Sequence, residues 1–249
     1  MHFLNIGSGS KGNSTIIYNE ETTILVDVGV SRRRIVTALK TINKKLSDVQ
    51  YVLITHAHSD HISNIDIFPS NIVYSVENEL RNHMDFNILE HFKEYRFNTI
   101  SIIVLLTSHD VKGSCGFLFK DNKNELVYIT DTGFIPLKTL NIIQNKDIYI
   151  IESNHDINML LESRRTNQLK ERILSSVGHL SNDLCAQYLA EVIGDKTKAI
   201  FLAHLSEECN LDGIAIDTVY SIVTSKNKRA KHIVFDALKQ NEATIYDQD

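Results

Sequence analysis

Apolar residues along this chain gather into short, dense runs separated by polar, turn-forming segments. "HFLNI" (2–6) and "STIIYN" (14–19) flank a glycine-rich turn, and "TTILVDVG" (22–29) predicts a third strand that ends in Asp-x-Gly. The spacing changes to helical over "SRRRIVTALKTINKK" (31–45), with Ser31 placed as an N-cap. "YVLI" (51–54) predicts a buried strand, followed by further strands at 71–76, 101–106, 115–120 and 125–130 and a helix over "VENELRNHM" (76–84). In the second half, apolar strands at 147–153 and 198–204 alternate with helical stretches at 182–193 and 212–223, and "KHIVFD" (231–236) closes the series. Strands in both halves with helices between them predict two sheets packed face to face, with helices outside.

Composition narrows the class. With 43% hydrophobic and 23% charged residues over 249 positions, the chain has enough apolar material for a real core. Only two prolines occur and no Pro/Gly-rich linker divides it, so a single domain over 1–249 is expected. No signal peptide is read at "MHFLNIGSGS" and no apolar run is long enough for a membrane span. The three cysteines are odd in number and widely spaced, which suits reduced thiols and a cytoplasmic location. A net charge of −5 argues against nucleic-acid binding through bulk charge, although "SRRR" (31–34), "RR" (164–165), "LKER" (169–172) and "KNKR" (226–229) are local basic clusters.

The chemistry concentrates in "THAHSDH" (55–61), directly after the strand at 51–54. His56 and His58 are two apart in extended chain, so their side chains fall on one side. Asp60 and His61 follow where the chain turns into a helix. Three imidazoles and a carboxylate at one strand end repel or desolvate one another unless a cation sits among them, and these donors suit Zn, Mn or Fe. Four ligands exceed the three that one catalytic metal usually takes. The split that spacing favours is His56 with His58 on one ion and Asp60 with His61 on a neighbour, roughly 3.5–4 Å away. Later strands deliver His109, Asp131 and His204 in the same way, at their carboxyl ends. His2, His83, His91 and His232 do not share that placement and are read as non-ligands.

Together these residues resemble a known family. HxHxDH after a strand, then a lone His, an Asp in "TDTG" and a late "AH" resemble the metallo-β-lactamase-fold hydrolases. "GSGSKGNST", "ESNHDINML" and "GHLSN" (178–182) narrow the resemblance to the YycJ/WalJ/VicX-like nuclease subgroup. The resemblance implies a four-layer αββα sandwich of the α/β class, with two divalent metal ions at one edge of the sheets. It places His56, His58 and His109 on the first metal, Asp60, His61 and His204 on the second, and Asp131 between them. It also implies a nuclease acting on DNA, usually as a 5′-to-3′ exonuclease. One departure stands out: members tend to carry Tyr-Pro where this chain has "RRTNQLKERI" (164–173).

The expected mechanism is hydrolysis of a phosphodiester, with Asp60 orienting the attacking nucleophile and His179 either protonating the leaving oxygen or donating to the phosphate. Similar placement in ribonuclease Z relatives makes Glu152 a candidate partner of His179. His155 is divided between a turn role and a substrate contact. Ser10, Lys11 and Asn13 are candidate substrate contacts in a turn that lacks P-loop spacing, and Asp27 is read as turn chemistry. The alternatives are a thioesterase- or lactonase-type hydrolase on the same metals, and a non-catalytic metal-binding regulator. No G-x-S-x-G elbow supports a serine nucleophile.

Overall fold

The computed structural model describes residues 1–247. The side chain of Arg229, in the 226–229 basic cluster, lies outside what is described, as do residues 248 and 249. In chain order the strands are β1 (His2–Gly7), β2 (Ser14–Tyr18), β3 (Thr23–Val26), β4 (Tyr51–Ile54), β5 (Val73–Val76), β6 (Asn87–Leu89) and β7 (Glu94–Phe97). They continue with β8 (Ile100–Leu106), β9 (Cys115–Lys120), β10 (Glu125–Ile129), β11 (Ile148–Glu152), β12 (Ala199–Ala203), β13 (Val234–Ala237) and β14 (Thr244–Tyr246). The helices are α1 (Arg32–Thr41), α2 (Ser59–Ile62), α3 (Leu137–Ile142), α4 (Ile157–Glu162), α5 (Asn167–Leu174), α6 (Asn182–Val192) and α7 (Asp212–Lys226).

The strands form two mixed sheets, ordered β14-β1-β2-β3-β4-β5-β6 and β13-β12-β11-β10-β9-β8-β7. Alternation along each strand explains why they stack. In β1, Phe3 joins the core between the sheets while Leu4 faces the layer containing Ile35 and Leu39 of α1. In β11, Ile148 and Ile150 face the inter-sheet core, and Tyr149 and Ile151 face Leu189 and Val219 of α6 and α7. Strands buried on both faces read as unbroken apolar runs, and the run lengths at 51–54 and 147–153 follow from that. This is the expected αββα sandwich.

Differences from expectation are local. The predicted helix at 76–84 is instead the end of β5, whose Val76 pairs with Leu89, followed by one short 3-10 turn at Glu79–Asn82. Asn78 caps that turn by accepting from the Leu80 amide. Helix α1 stops at Thr41, and Asn43 takes a left-handed conformation (φ 56°) that turns the chain away. His232 ends a 3-10 turn at Lys228–His232 and is not in a strand.

The sheets bring their chemistry to one edge. β3 and β4 run parallel, as do β10, β11 and β12, so their carboxyl ends lie at the same side of each sheet. β8 pairs antiparallel with β9, and β9 with β10, so β8 also ends there.

Candidate metal centre

Three strand-end residues at this edge carry left-handed backbones: Asp27 (φ 58°), Asp131 (φ 53°) and His204 (φ 56°). Such conformations are uncommon outside glycine and concentrate at functional sites. Each turns its side chain off the end of a strand, toward the loop 55–61. There, β4 empties into His56 and His58, and α2 carries Asp60 and His61.

The seven predicted ligands meet. Donor atoms of His56, His58 and His109 lie within 4.8 Å of one another, as do those of Asp60, His61 and His204 and those of His56, His61 and Asp131. His56 Nε2 is 3.2 Å from His58 Nδ1. His61 Nε2 is 3.2 Å from Asp131 Oδ2 and 3.5 Å from Asp60 Oδ2, and His204 Nδ1 is 3.2 Å from Asp131 Oδ1. Asp131 therefore lies between the Asp60–His61–His204 group and the His56 group. His2, His83, His91 and His232 belong to none of these groups; His91 instead bonds the Ser114 carbonyl at 3.0 Å.

Outer contacts fix the rings. Thr55 Oγ1 is 3.0 Å from His56 Nδ1, the Gly178 carbonyl is 3.2 Å from His109 Nδ1, and Asp27 Oδ2 is 2.8 Å from His61 Nδ1. In each case the other ring nitrogen is left for the cluster. Asp27 also accepts from the Thr55 amide and hydroxyl. It is wholly buried, so its reading as turn chemistry alone was incomplete: it is the residue that orients His61. Asn13 is likewise not a surface contact. Its Nδ2 donates to Asp60 Oδ2 (3.2 Å) and to the Gly9 carbonyl, and lies 3.0 Å from His61 Nε2. Lys11 pairs with Glu207, and Ser10 lines the cavity beside the cluster.

Electrostatics favour cations here. Burial pulls His61 down, but the Asp27 carboxylate and then Asp131 outweigh it and hold its pKa well above the usual histidine value. Burial also opposes charge on His204, yet Asp131, Asp60 and Glu152 raise it to about 10. Burial and the neighbouring His61 hold His56 well below the ordinary value. Burial would raise Asp131, but His204 and His61 keep it strongly depressed. Asp131 is thus ionised, as is Asp60, whose carboxyl burial would raise but whose neighbours His204 and His61 bring down, and the two call for positive charge in a buried place. Apart from the 3.2 Å approach of His61 Nε2 to Asp131 Oδ2, Asp131 Oδ2 and His204 Nε2 are buried without a hydrogen-bond partner among the described residues, although both residues belong to groups whose donor atoms lie within 4.8 Å of one another. The imidazole and carboxylate set fits divalent cations, and those two orphaned atoms are what a metal would satisfy.

Glu152 and His179 stand beside the cluster. Glu152 Oε1 is 2.8 Å from His179 Nδ1 and 2.9 Å from His204 Nδ1, and its Oε2 accepts from the Thr132 and Leu180 amides. Burial would raise this carboxyl, but His179, then the bonds from both histidines, bring it to about 2. A cavity of about 160 Å³ adjoins the cluster, lined by His109, His179, His204, Arg165 and Arg172 among others. A larger one, about 390 Å³, opens between Ser8, Leu211 and Gln240 and contains none of the clustered donors.

Comparison with known proteins agrees with this geometry. The model of the Metallo-beta-lactamase superfamily matches residues 7–97. Exodeoxyribonuclease WalJ of Streptococcus pneumoniae is 34% identical over 84% of this chain and 83% of its own. The chain belongs to the metallo-β-lactamase superfamily. Exodeoxyribonuclease YycJ of Bacillus anthracis, 32% identical over 91% of this chain and 90% of its own, is a further relative. The crystal structure of the metallo-beta-lactamase fold protein YhfI from Bacillus subtilis superposes with a TM-score of 0.71, at 14% identity over 98% of this chain and 99% of that one. As a member of the superfamily with these relatives, the chain is a metal-dependent hydrolase. No helix among the described residues is long and apolar enough to cross a membrane.

Proposed function

We propose that this chain, as one domain over 1–249, is a dinuclear-metal nuclease that degrades DNA from an end, 5′ to 3′, in the cytoplasm. The convergence of seven His and Asp donors beside a cavity with a Glu152–His179 pair on its wall carries this reading. The names of the WalJ and YycJ relatives supply the substrate class. His56, His58 and His109 would hold one ion, Asp60, His61 and His204 the other, and Asp131 would reach both. Zn, Mn and Fe all suit these donors.

Two such ions would supply a water activated at neutral pH and neutralise charge on the phosphate. The chain's own residues do the rest. Asp60, fixed by Asn13, accepts a hydrogen bond from the attacking water and aligns it. His179 is anchored through Nδ1 by Glu152, which leaves Nε2 to hold a proton for the leaving oxygen. Glu152, ionised and buried, fixes the orientation of that ring. Arg165 and Arg172 on the same cavity favour an anionic phosphodiester over the neutral acyl group of a thioester or lactone.

Digestion of end-labelled single- and double-stranded DNA and RNA by metal-reconstituted protein tests the reading. Progressive shortening of DNA from the 5′ end, lost in Asp60→Ala, is the expected result. Turnover of thioesters with intact nucleic acid would overturn it.

A further inference from the structure

β13 ends at Ala237, and the chain that follows meets the turn between β1 and β2. Leu238 donates its amide to the Leu202 carbonyl (2.8 Å), and the Lys239 carbonyl accepts from the Ser8 amide (3.2 Å). Gln240 comes next and is buried. Its Nε2 donates to the Gly12 carbonyl at 3.0 Å, and its Oε1 accepts from the Lys11 amide at 2.9 Å. Arg34 of α1 donates to both the Gln240 and the Ile6 carbonyls. One side-chain amide thus serves an acceptor and a donor that lie 228 and 229 positions earlier in the chain. A carboxylate could serve only the donor, and an ammonium only the acceptor. Gly9 admits this approach: its φ is 147°, and a Cβ there would stand 2.5 Å from Gln240 Oε1.

The turn passes the contact on. The Gly9 amide donates to Asn13 Oδ1 (2.8 Å), and the Gly9 carbonyl accepts from Asn13 Nδ2 (3.1 Å) and from the Gly12 amide (3.0 Å). Asn13 Nδ2 also reaches Asp60 Oδ2 and lies 3.0 Å from His61 Nε2. Ser8 Oγ accepts from the His204 amide at 2.8 Å. Each member of the Asp60–His61–His204 group therefore touches this turn. Among the described residues, no hydrogen bond from 7–13 reaches His56, His58 or His109. The turn supports one group of donors and not the other.

We propose that Gln240 is a positioning residue for one of the two ions: it holds the 7–13 turn, the turn holds Asn13, and Asn13 sets Asp60 and His61. The proposal rests on the two-ion reading. It adds that the segment after β13, which contributes none of the clustered donors, governs the affinity of the Asp60–His61–His204 site.

The test is competition between the full chain and a chromophoric chelator for zinc, in the wild type, Gln240→Ala, Asn13→Ala and the double variant. The wild type is expected to bind two ions. In Gln240→Ala one of them should bind about tenfold more weakly, the low end for losing an outer partner, with the other unchanged. Gln240→Glu keeps the acceptor for Lys11 and loses the donor for Gly12, so it should fall between. The double variant should bind no more weakly than Asn13→Ala alone, because the effect of Gln240 passes through Asn13. On bis(p-nitrophenyl) phosphate, kcat should fall in Gln240→Ala with KM unchanged, and return as zinc is raised. Loss of both ions to the same extent in both Gln240 variants, unchanged affinity for both ions, or additive losses in the double variant would overturn the assignment and leave the nuclease standing. A wild type that binds only one ion would sink the two-ion reading, and this proposal with it.

Discussion

Oε1 of Glu152 lies 2.8 Å from Nδ1 of His179, and the carboxyl, though wholly buried, stays ionised with a pKa of about 2. A buried anion against one ring nitrogen fixes the ring's orientation and leaves the other nitrogen facing the cavity to act as an acid. His179→Ala should therefore lower kcat by about 10²–10⁴. Metal content by atomic emission should be unchanged. Glu152→Gln should lower kcat and also weaken metal binding, because the same oxygen sits 2.9 Å from His204. Equal metal loss in both variants would contradict separate roles.

Asp27 orients His61 from behind at 2.8 Å. Asp27→Asn is a clean probe, because asparagine accepts the left-handed backbone (φ 58°) that the position requires. It removes the charge that raises His61's basicity. Chelator competition should show one of two metals bound about 10–100-fold more weakly, the usual scale for losing such an outer partner. The other site should be unaffected.

Much of this site was legible in the sequence, because each candidate ligand follows an apolar strand and local pattern suffices to see that. Asp27 and Asn13 were not legible in the same way. Asp27 meets His61 only because β3 pairs with β4, and Asn13 meets Asp60 only because the 7–13 turn folds under the 55–61 loop. Those contacts span 34 and 47 positions, beyond any periodicity. The failed helix at 76–84 has a similar origin. Val76 has helical neighbours in sequence, but β6 comes back to pair with it, and tertiary pairing overrides propensity. The edge strands β7 and β14 are short and half polar, so no apolar run announces them.

Gly29 has no room for a side chain. A Cβ there would stand 1.6 Å from the Asp60 carbonyl oxygen, which accepts from the Asn13 amide at 2.7 Å. Backbone cannot yield as a flexible side chain does. Gly29→Ala should cost about 3 kcal/mol in denaturant unfolding, in the range for overpacking a tight interior. It should also displace Asp60 and cut activity more than stability alone explains.

Burial holds His155 neutral, with its pKa lowered to about 4. In the unfolded chain it titrates at the ordinary value of about 6.5. The unfolded state thus takes up this proton first as pH falls. The stability associated with neutral His155 is whole above about 6.5, declines between about 6.5 and 4, and is gone below, a total of about 3 kcal/mol. Unfolding of EDTA-treated wild type and His155→Gln across this window should show a steeper acid loss in the wild type. Parallel curves would mean that the histidine is not held neutral.

Metal removal should destabilise the fold as well as stop catalysis. Asp131 and Glu152 are buried, and Asp131 Oδ2 and His204 Nε2 have no hydrogen-bond partner among the described residues. Cations bound only by the folded state add RT ln(1 + [L]/Kd), about 2.7 kcal/mol at a hundredfold excess over Kd. For a chain of this size that corresponds to a fall in Tm of about 5–10 °C on chelation. Calorimetry with and without EDTA measures it. His204→Ala should remove much of the metal-dependent increment, because it deletes a donor from the Asp60–His61 group. An unchanged Tm on chelation, in protein shown to have carried metal, would mean that the cluster is already satisfied by its own hydrogen bonds.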